Sequence, residues 1–292
     1  HPLHRTTTTA PETLVEPANA TLGFGALLAV SHAASPRRAG LVAAAHLARI
    51  EVTIPEQPAW TEGDVERFRV KGEGQGGSRV SRGSALAWLG HLNVLRWFLS
   101  TELETALILE DDVDFSLHLR STQTPLAAAA IRTLLSPNPH PHPHPSPATT
   151  ADQNPHYWGP PSAWELLYLG HCADLIPPSL LPATPHLAYH DPSAPPPAHL
   201  TPQTHALLSA LRAPPATRLL HRSHWPLCTF AYAVTRASAA RILSTFGTED
   251  AGDGTGCVAF DVRLLEACRD RGWACYTVAP ELFHHVAARS EI

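Results

Sequence analysis

Methionine is absent from this chain, and Lys71 is its single lysine. Charged residues make up only 16% of the 292 positions, against about a quarter in an ordinary globular protein. The formal charge is −5, and no block of Lys or Arg stands against it, which argues against a nucleic-acid partner. No apolar run reaches the ~18 residues of a membrane span. With no Met and a start at His1, the chain reads as processed, so a membrane is expected only through a missing N-terminal anchor. The five cysteines, at 172, 228, 257, 268 and 275, show no paired CxxC spacing, which excludes a structural zinc site of that kind. An odd count does not read as a disulfide framework, although one or two bridges fit, for example Cys172 with Cys228. The glycine-rich stretch from Gly72 to Ser78 lacks GxxxxGK[ST] and follows no strand, so it is not read as a phosphate loop. No internal repeat is visible.

Hydrophobic residues, at 44%, are enough for an ordinary core. The 29 prolines cluster. Residues 1–20 read as a Thr/Pro-rich disordered stalk, and 136–161 and 177–215 as Pro-rich surface insertions in one domain over 21–292. The His-Pro alternation inside 136–161 is extended polyproline with adventitious metal affinity. Between these, short apolar runs alternate with helical patterns. Strands are expected at 22–30, 50–54, 106–109, 164–169, 228–235 and 273–278, and helices at 39–48, 64–69, 84–99, 237–246 and 260–271. Ser81 or Ser84 would cap the 84–99 helix, and Gly272 would stop the last one. The βαβ opening favours a parallel sheet. The expected fold class is α/β, a mixed, mostly parallel sheet flanked by helices. His91, inside the 84–99 helix, reads equally well as a packed or hydrogen-bonded core histidine and as a ligand.

The stretch Thr105-Ala-Leu-Ile-Leu-Glu-Asp-Asp-Val-Asp-Phe115 carries the chemistry. Four apolar residues have the composition of a strand buried on both faces. They end abruptly in Glu110, Asp111 and Asp112, with Asp114 beyond. Three carboxylates leaving a core together repel and are costly to desolvate. Mg²⁺ or Mn²⁺ would resolve that conflict, and ligands of open α/β sheets sit beyond the carboxyl ends of strands. Acidic triplets also occur on solvated loops and helix N-termini, so the neighbouring chain has to decide. Strand alternation would put Glu110 and Asp112 on one side and Asp111 on the other.

Several segments together resemble glycosyltransferase family 25, in particular its fungal branch. They are Leu22-Gly-Phe-Gly-Ala-Leu-Leu-Ala-Val-Ser31, Ser84-Ala-Leu-Ala-Trp-Leu-Gly-His91 and Ala106-Leu-Ile-Leu-Glu-Asp-Asp-Val113. Trp164-Glu-Leu-Leu-Tyr-Leu-Gly-His-Cys172, Phe230-Ala-Tyr-Ala-Val-Thr235 and Pro280-Glu-Leu-Phe-His-His285 continue the order, spanning about 22–285. The resemblance implies a Rossmann-like GT-A domain and an inverting transfer of galactose or glucose from UDP-galactose or UDP-glucose. It implies Mn²⁺ (or Mg²⁺) as cofactor and a glycan, protein or lipid-linked hydroxyl as acceptor. It places Asp112 on the metal, Glu110 or Asp111 on the ribose or a bound water, and Ser31 and Arg38, with Arg37, near the donor. His284 or His285 would supply a late metal ligand, or else form an exposed pair. Asp261 is the candidate base, its plainer role being a helix cap. The family and the Asn19-Ala20-Thr21 sequon point to the secretory pathway, in the Golgi lumen or secreted.

Two other classes compete. A catalytically silent homologue would bind a sugar or nucleotide without turnover, against which the complete acidic triplet argues. A glycoside hydrolase needs two separated carboxylates flanking the bond, whereas the informative acids here are contiguous.

Overall fold

The computed structural model describes residues 16–71, 77–136, 156–250 and 256–286. Its centre is an eight-stranded mixed sheet. The strands, in chain order, are β1 (Ala26–Val30), β2 (Val52–Thr53), β3 (Thr105–Glu110), β5 (Leu166–Gly170), β7 (His186–His190), β8 (Thr217–Arg222), β10 (Ala231–Thr235) and β11 (Cys275–Ala279). They lie in the order β2-β1-β3-β10-β5-β11-β8-β7. β1 is parallel to β2 and β3, and β5 to β11, while β10 and β8 run against both their neighbours. Six of the eight strands therefore share one direction. Two small pairs stand outside the sheet: β4 (Val113–Phe115) with β12 (Phe283–His285), and β6 (Ala173–Asp174) with β9 (Pro226–Leu227).

Both faces are covered, which is why the central strands carry no polar alternation. Every residue of β5 and β10 is buried, as are Ala106 to Leu109 of β3. One face packs on α1 (Arg38–Ala48) and α4 (Thr124–Leu135) through Leu27, Leu107, Leu109 and Leu167. The other packs on α2 (Glu62–Phe68), α3 (Arg82–Leu99), α6 (Arg236–Thr245) and α7 (Phe260–Arg269) through Leu28, Ile108, Tyr168 and Val234. Ser81 caps α3, accepting from the Ser84 N–H at 3.0 Å. The buried stripe of α3 runs through Trp88, Leu92 and Leu95, leaving Leu86 half-buried and Trp97 36% exposed.

Gly170 ends β5 where β10 shifts register between Ala231 and Tyr232. A β-carbon on Gly170 would stand 2.7 Å from the Ala231 Cβ and 2.8 Å from the Phe230 ring, so only glycine admits that approach.

Several expected boundaries move. The strand at 22–30 begins only at Ala26, because Leu22 and Gly23 turn in the left-handed region at φ 54° and 80°. The 50–54 strand shrinks to Val52–Thr53. Residues 1–15 of the stalk and 137–155 of the first insertion lie outside the described residues. Parts of both that are described are packed. Ala18 is fully buried, and its N–H and C=O both bond Arg120. Trp158 stacks on Phe24 with ring centroids 4.8 Å apart and donates to the Leu22 carbonyl at 2.8 Å.

The 177–215 segment is not a surface insertion. It supplies β7, which closes the sheet, and α5 (Pro202–Ala210). Its prolines flank these elements, as Pro185 and Pro192 flank β7, and an edge strand tolerates that arrangement. Asp191 just beyond β7 forms a fully buried ion pair with Arg218, whose guanidinium also donates to the carbonyls of Pro280 and Glu281. That contact anchors the loop leading into β12.

Candidate functional site

The parallel register of β1 and β3 sets Val30 opposite Glu110. The next residues, Ser31 and Asp111, consequently lie side by side beyond the ends of the two strands. The Ser31 hydroxyl donates to Asp111 Oδ2 at 2.6 Å. β3 stops at Glu110, so strand alternation does not continue through the triplet. Asp111 and Asp112 form a turn into β4, and the three side chains fan out, all lining one cavity. Putting Glu110 and Asp112 on one side and Asp111 on the other fails for that reason.

Asp112 Oδ2 receives Arg37 Nη1 at 3.3 Å and His285 Nε2 at 3.1 Å. Its other oxygen, Oδ1, is buried without a partner. Burial first, then the charge of Glu110, push the Asp112 carboxyl above its ordinary value, against the pull of His285 and Arg37. β12 brings His285 here because it pairs with β4, His285 opposite Val113. His284 alternates to the other side and bonds Glu281 Oε1 at 3.1 Å instead. The two histidines are thus not a joint ligand pair.

Glu110 turns to the α3 face. Its Oε1 accepts from Thr229 Oγ1 at 3.2 Å and lies 3.5 Å from His91 Nε2. His91 Nδ1 meets the Tyr232 hydroxyl at 3.1 Å, and the imidazole stacks on Phe260. Burial pushes the Glu110 carboxyl up, but the contacts with His91 and Thr229 outweigh it and hold the group below its ordinary value. His91 is therefore a buried, hydrogen-bonded histidine set directly behind the acidic motif.

Asp261 sits in the first turn of α7 but is not its cap; Ala259 holds that position without a side-chain bond. The carboxylate turns outward from the helix, accepting from the Cys228 N–H at 3.1 Å and the Val262 N–H at 2.9 Å. Burial, aided by the nearby charge of Glu110, raises its pKa, while the two N–H groups oppose the rise. Asp261 does not line the cavity that Glu110 lines.

That cavity holds about 580 Å³, within the usual range for a small-molecule site. Its lining includes the polar Ser31, Arg37, Glu110, Asp111 and Asp112 as well as Gln57, Ala59, Trp60, Leu86 and Ala87. Arg38 is not part of it. Arg38 begins α1 and faces a separate shallow groove with Val42, His46 and Leu47. The neighbouring arginine, Arg37, lines the cavity instead, because it precedes the first helical turn. Among the described residues, no three His, Cys, Asp or Glu side chains converge to hold a metal by themselves. A divalent cation at a nucleotide site needs only one or two carboxylates, since phosphate oxygens and water complete its shell. The unpartnered Asp112 Oδ1 fits that requirement.

Two disulfides are present, Cys172–Cys228 and Cys268–Cys275, with Cys257 buried and free. The first bridges the loop after β5 to the residue whose N–H holds Asp261. Thr229, Tyr232, Trp60 and Gln57 escaped the sequence reading, because each reaches the site through pairing or packing across the sheet rather than through a local motif. No protein-family model matches this chain, and no curated protein matches it significantly.

Proposed function

We propose that the chain is an inverting, metal-dependent glycosyltransferase of GT-A type, moving galactose or glucose from a UDP-sugar to a hydroxyl acceptor. The observation that carries this reading is the acidic triplet at the carboxyl end of β3, which lines a cavity of nucleotide size and in which Asp112 Oδ1 is buried without a hydrogen-bond partner. Among its lining residues, Arg37 and Ser31 suit a diphosphate and ribose, and Trp60 with Leu86 suits a planar base. The resemblance of the motifs to glycosyltransferase family 25 supports the same assignment.

In this reading Asp112 and His285 would hold the cation. When bound, such an ion neutralises the charge gathered by the departing nucleoside diphosphate. Arg37 sits where it can exchange Asp112 for a phosphate oxygen. Glu110, kept ionised by His91 and Thr229, orients the sugar or ribose hydroxyls. Asp261 takes the acceptor proton, and the pKa rise caused by its burial makes it a stronger base. The two disulfides support an oxidising compartment such as the secretory pathway. Among the described residues no helix is long and apolar enough to cross a membrane.

The silent-homologue reading has one observation in its favour. Both oxygens of Asp261 are already engaged by backbone N–H groups, as a purely structural acceptor would be. The test supplies UDP-galactose and UDP-glucose with Mn²⁺ and a panel of glycan and hydroxylated-peptide acceptors, measuring transfer and donor hydrolysis separately. Acceptor-dependent release of UDP supports the transferase. Cleavage of a glycoside without any nucleotide would replace this reading with a hydrolase, and metal-dependent UDP binding without turnover would favour the silent homologue.

A further inference from the structure

We propose that the Cys172–Cys228 disulfide is a redox-sensitive latch that positions Asp261 and Glu110; the catalytic part of this inference rests on the function proposed above. Three observations meet at Cys228. Its N–H donates to Asp261 Oδ2 at 3.1 Å, fixing the direction of the carboxylate. Its successor Thr229 donates to Glu110 Oε1 at 3.2 Å, and the next residue, Phe230, accepts from the Glu110 N–H at 2.9 Å. Its backbone stands at φ 67°, a left-handed conformation that residues with a β-carbon avoid. The bridge to Cys172, 56 residues earlier, ties this bend to the loop after β5 from the opposite side. Without the tether, nothing covalent resists relaxation of residue 228 toward negative φ, a rotation that swings its N–H away from Asp261 and pulls Thr229 off Glu110.

The latch is open to chemistry. Cys172 is exposed and Cys228 half-buried, whereas Cys268 and Cys275 of the other bridge are buried. A small dithiol therefore reaches the first bridge selectively. One thiolate of the reagent attacks Cys172 Sγ, the S–S bond breaks, and Cys228 leaves as a thiolate that takes a proton. The second thiol then closes on the mixed disulfide, releasing Cys172 as a thiol and the reagent as its cyclic disulfide. Two electrons pass from the dithiol to the protein, and reoxidation by a disulfide reagent restores the bridge.

The experiment compares oxidised protein, protein treated with dithiothreitol until two thiols per chain become titratable beyond Cys257, and a Cys172→Ser/Cys228→Ser variant. Each is examined by amide hydrogen exchange and, in parallel, by calorimetric UDP–Mn²⁺ binding and transfer kinetics. The expected result is at least tenfold faster exchange in the peptides covering 226–232 and 258–264, with 26–31 and 105–109 unchanged. UDP affinity should fall by much less than kcat for transfer, which drops at least tenfold, and reoxidation should recover both. Unchanged exchange at 226–232 and 258–264 would overturn the latch, as would loss of UDP affinity in proportion to kcat, which marks a general structural role. If the oxidised protein transfers nothing, the transferase reading fails on that measurement, while the exchange comparison still decides whether the disulfide holds residue 228 against Asp261.

Discussion

Replacing Glu249 by Gln should destabilise the fold markedly for so small a change. Glu249 is fully buried, yet among the described residues its carboxylate meets no arginine or lysine head group in a salt bridge. It is met instead by backbone N–H groups: Val70 at 2.9 Å on one oxygen, and Arg79, Val80 and Cys257 at 2.7, 3.2 and 3.1 Å on the other. These bonds draw the segments before α3 and before α7 onto one point. Glutamine keeps one acceptor oxygen but turns an NH₂ toward a donor, so at least one buried N–H loses its partner and the others lose the charge. An orphaned buried donor costs about 1–3 kcal/mol and the lost charge assistance a further ~1 kcal/mol, giving about 3 kcal/mol in all. The assay is urea unfolding at neutral pH, read as a fall in midpoint at constant slope. The pH dependence has a definite sign. Backbone donors, with the Ser78 side chain, hold the Glu249 carboxyl below its ordinary 4.5 despite burial. Its contribution is therefore complete above the unfolded value and fades as pH falls toward the folded one. The gap between wild type and Glu249→Gln should narrow in acid below about pH 4.5. A loss under 1 kcal/mol at pH 7, or a gap that widens in acid, would refute this reasoning.

Asp261→Asn should lower kcat by about 10²–10⁴-fold and leave UDP affinity unchanged, since the amide oxygen can keep one backbone bond but cannot take a proton; steady-state kinetics with calorimetry checks both. His285→Ala should weaken Mn²⁺-dependent UDP binding about tenfold, whereas His284→Ala, which loses only Glu281, should not; equal effects would contradict the separation seen across β12. Gly170→Ala should destabilise by about 1–3 kcal/mol in thermal or urea unfolding, because its β-carbon meets the Ala231 and Phe230 side chains below contact distance.

The strands read most easily were those buried on both faces, β3, β5 and β10, because continuous apolar runs need no knowledge of their neighbours. α3 was equally legible through its serine cap and apolar spacing. β7 was not, since its five residues, His-Leu-Ala-Tyr-His, are bracketed by prolines and draw their strand character only from pairing with β8. At the site, Glu110, Asp111 and Asp112 were visible because an apolar strand ends abruptly in them, and Ser31 through the family resemblance; that the two strands end side by side is added by the structure. The choice between Arg37 and Arg38, and between His284 and His285, turned on single-residue rotations that no spacing rule fixes. Asp261 was found in the first turn of α7, but its orientation depends on Cys228, which arrives from another strand. Cys172 with Cys228 was among the pairings that the sequence allowed; the Cys268–Cys275 bridge had no signal beyond proximity.

The central claim is that the acidic end of β3 holds a metal-assisted nucleoside diphosphate. Calorimetric titration of UDP, with and without Mn²⁺, on wild type and Asp112→Ala tests it most directly. The account predicts saturable binding that requires Mn²⁺ in wild type and disappears in the variant, with both proteins unfolding at similar temperatures. Binding that ignores the metal, or that survives in Asp112→Ala, would contradict it.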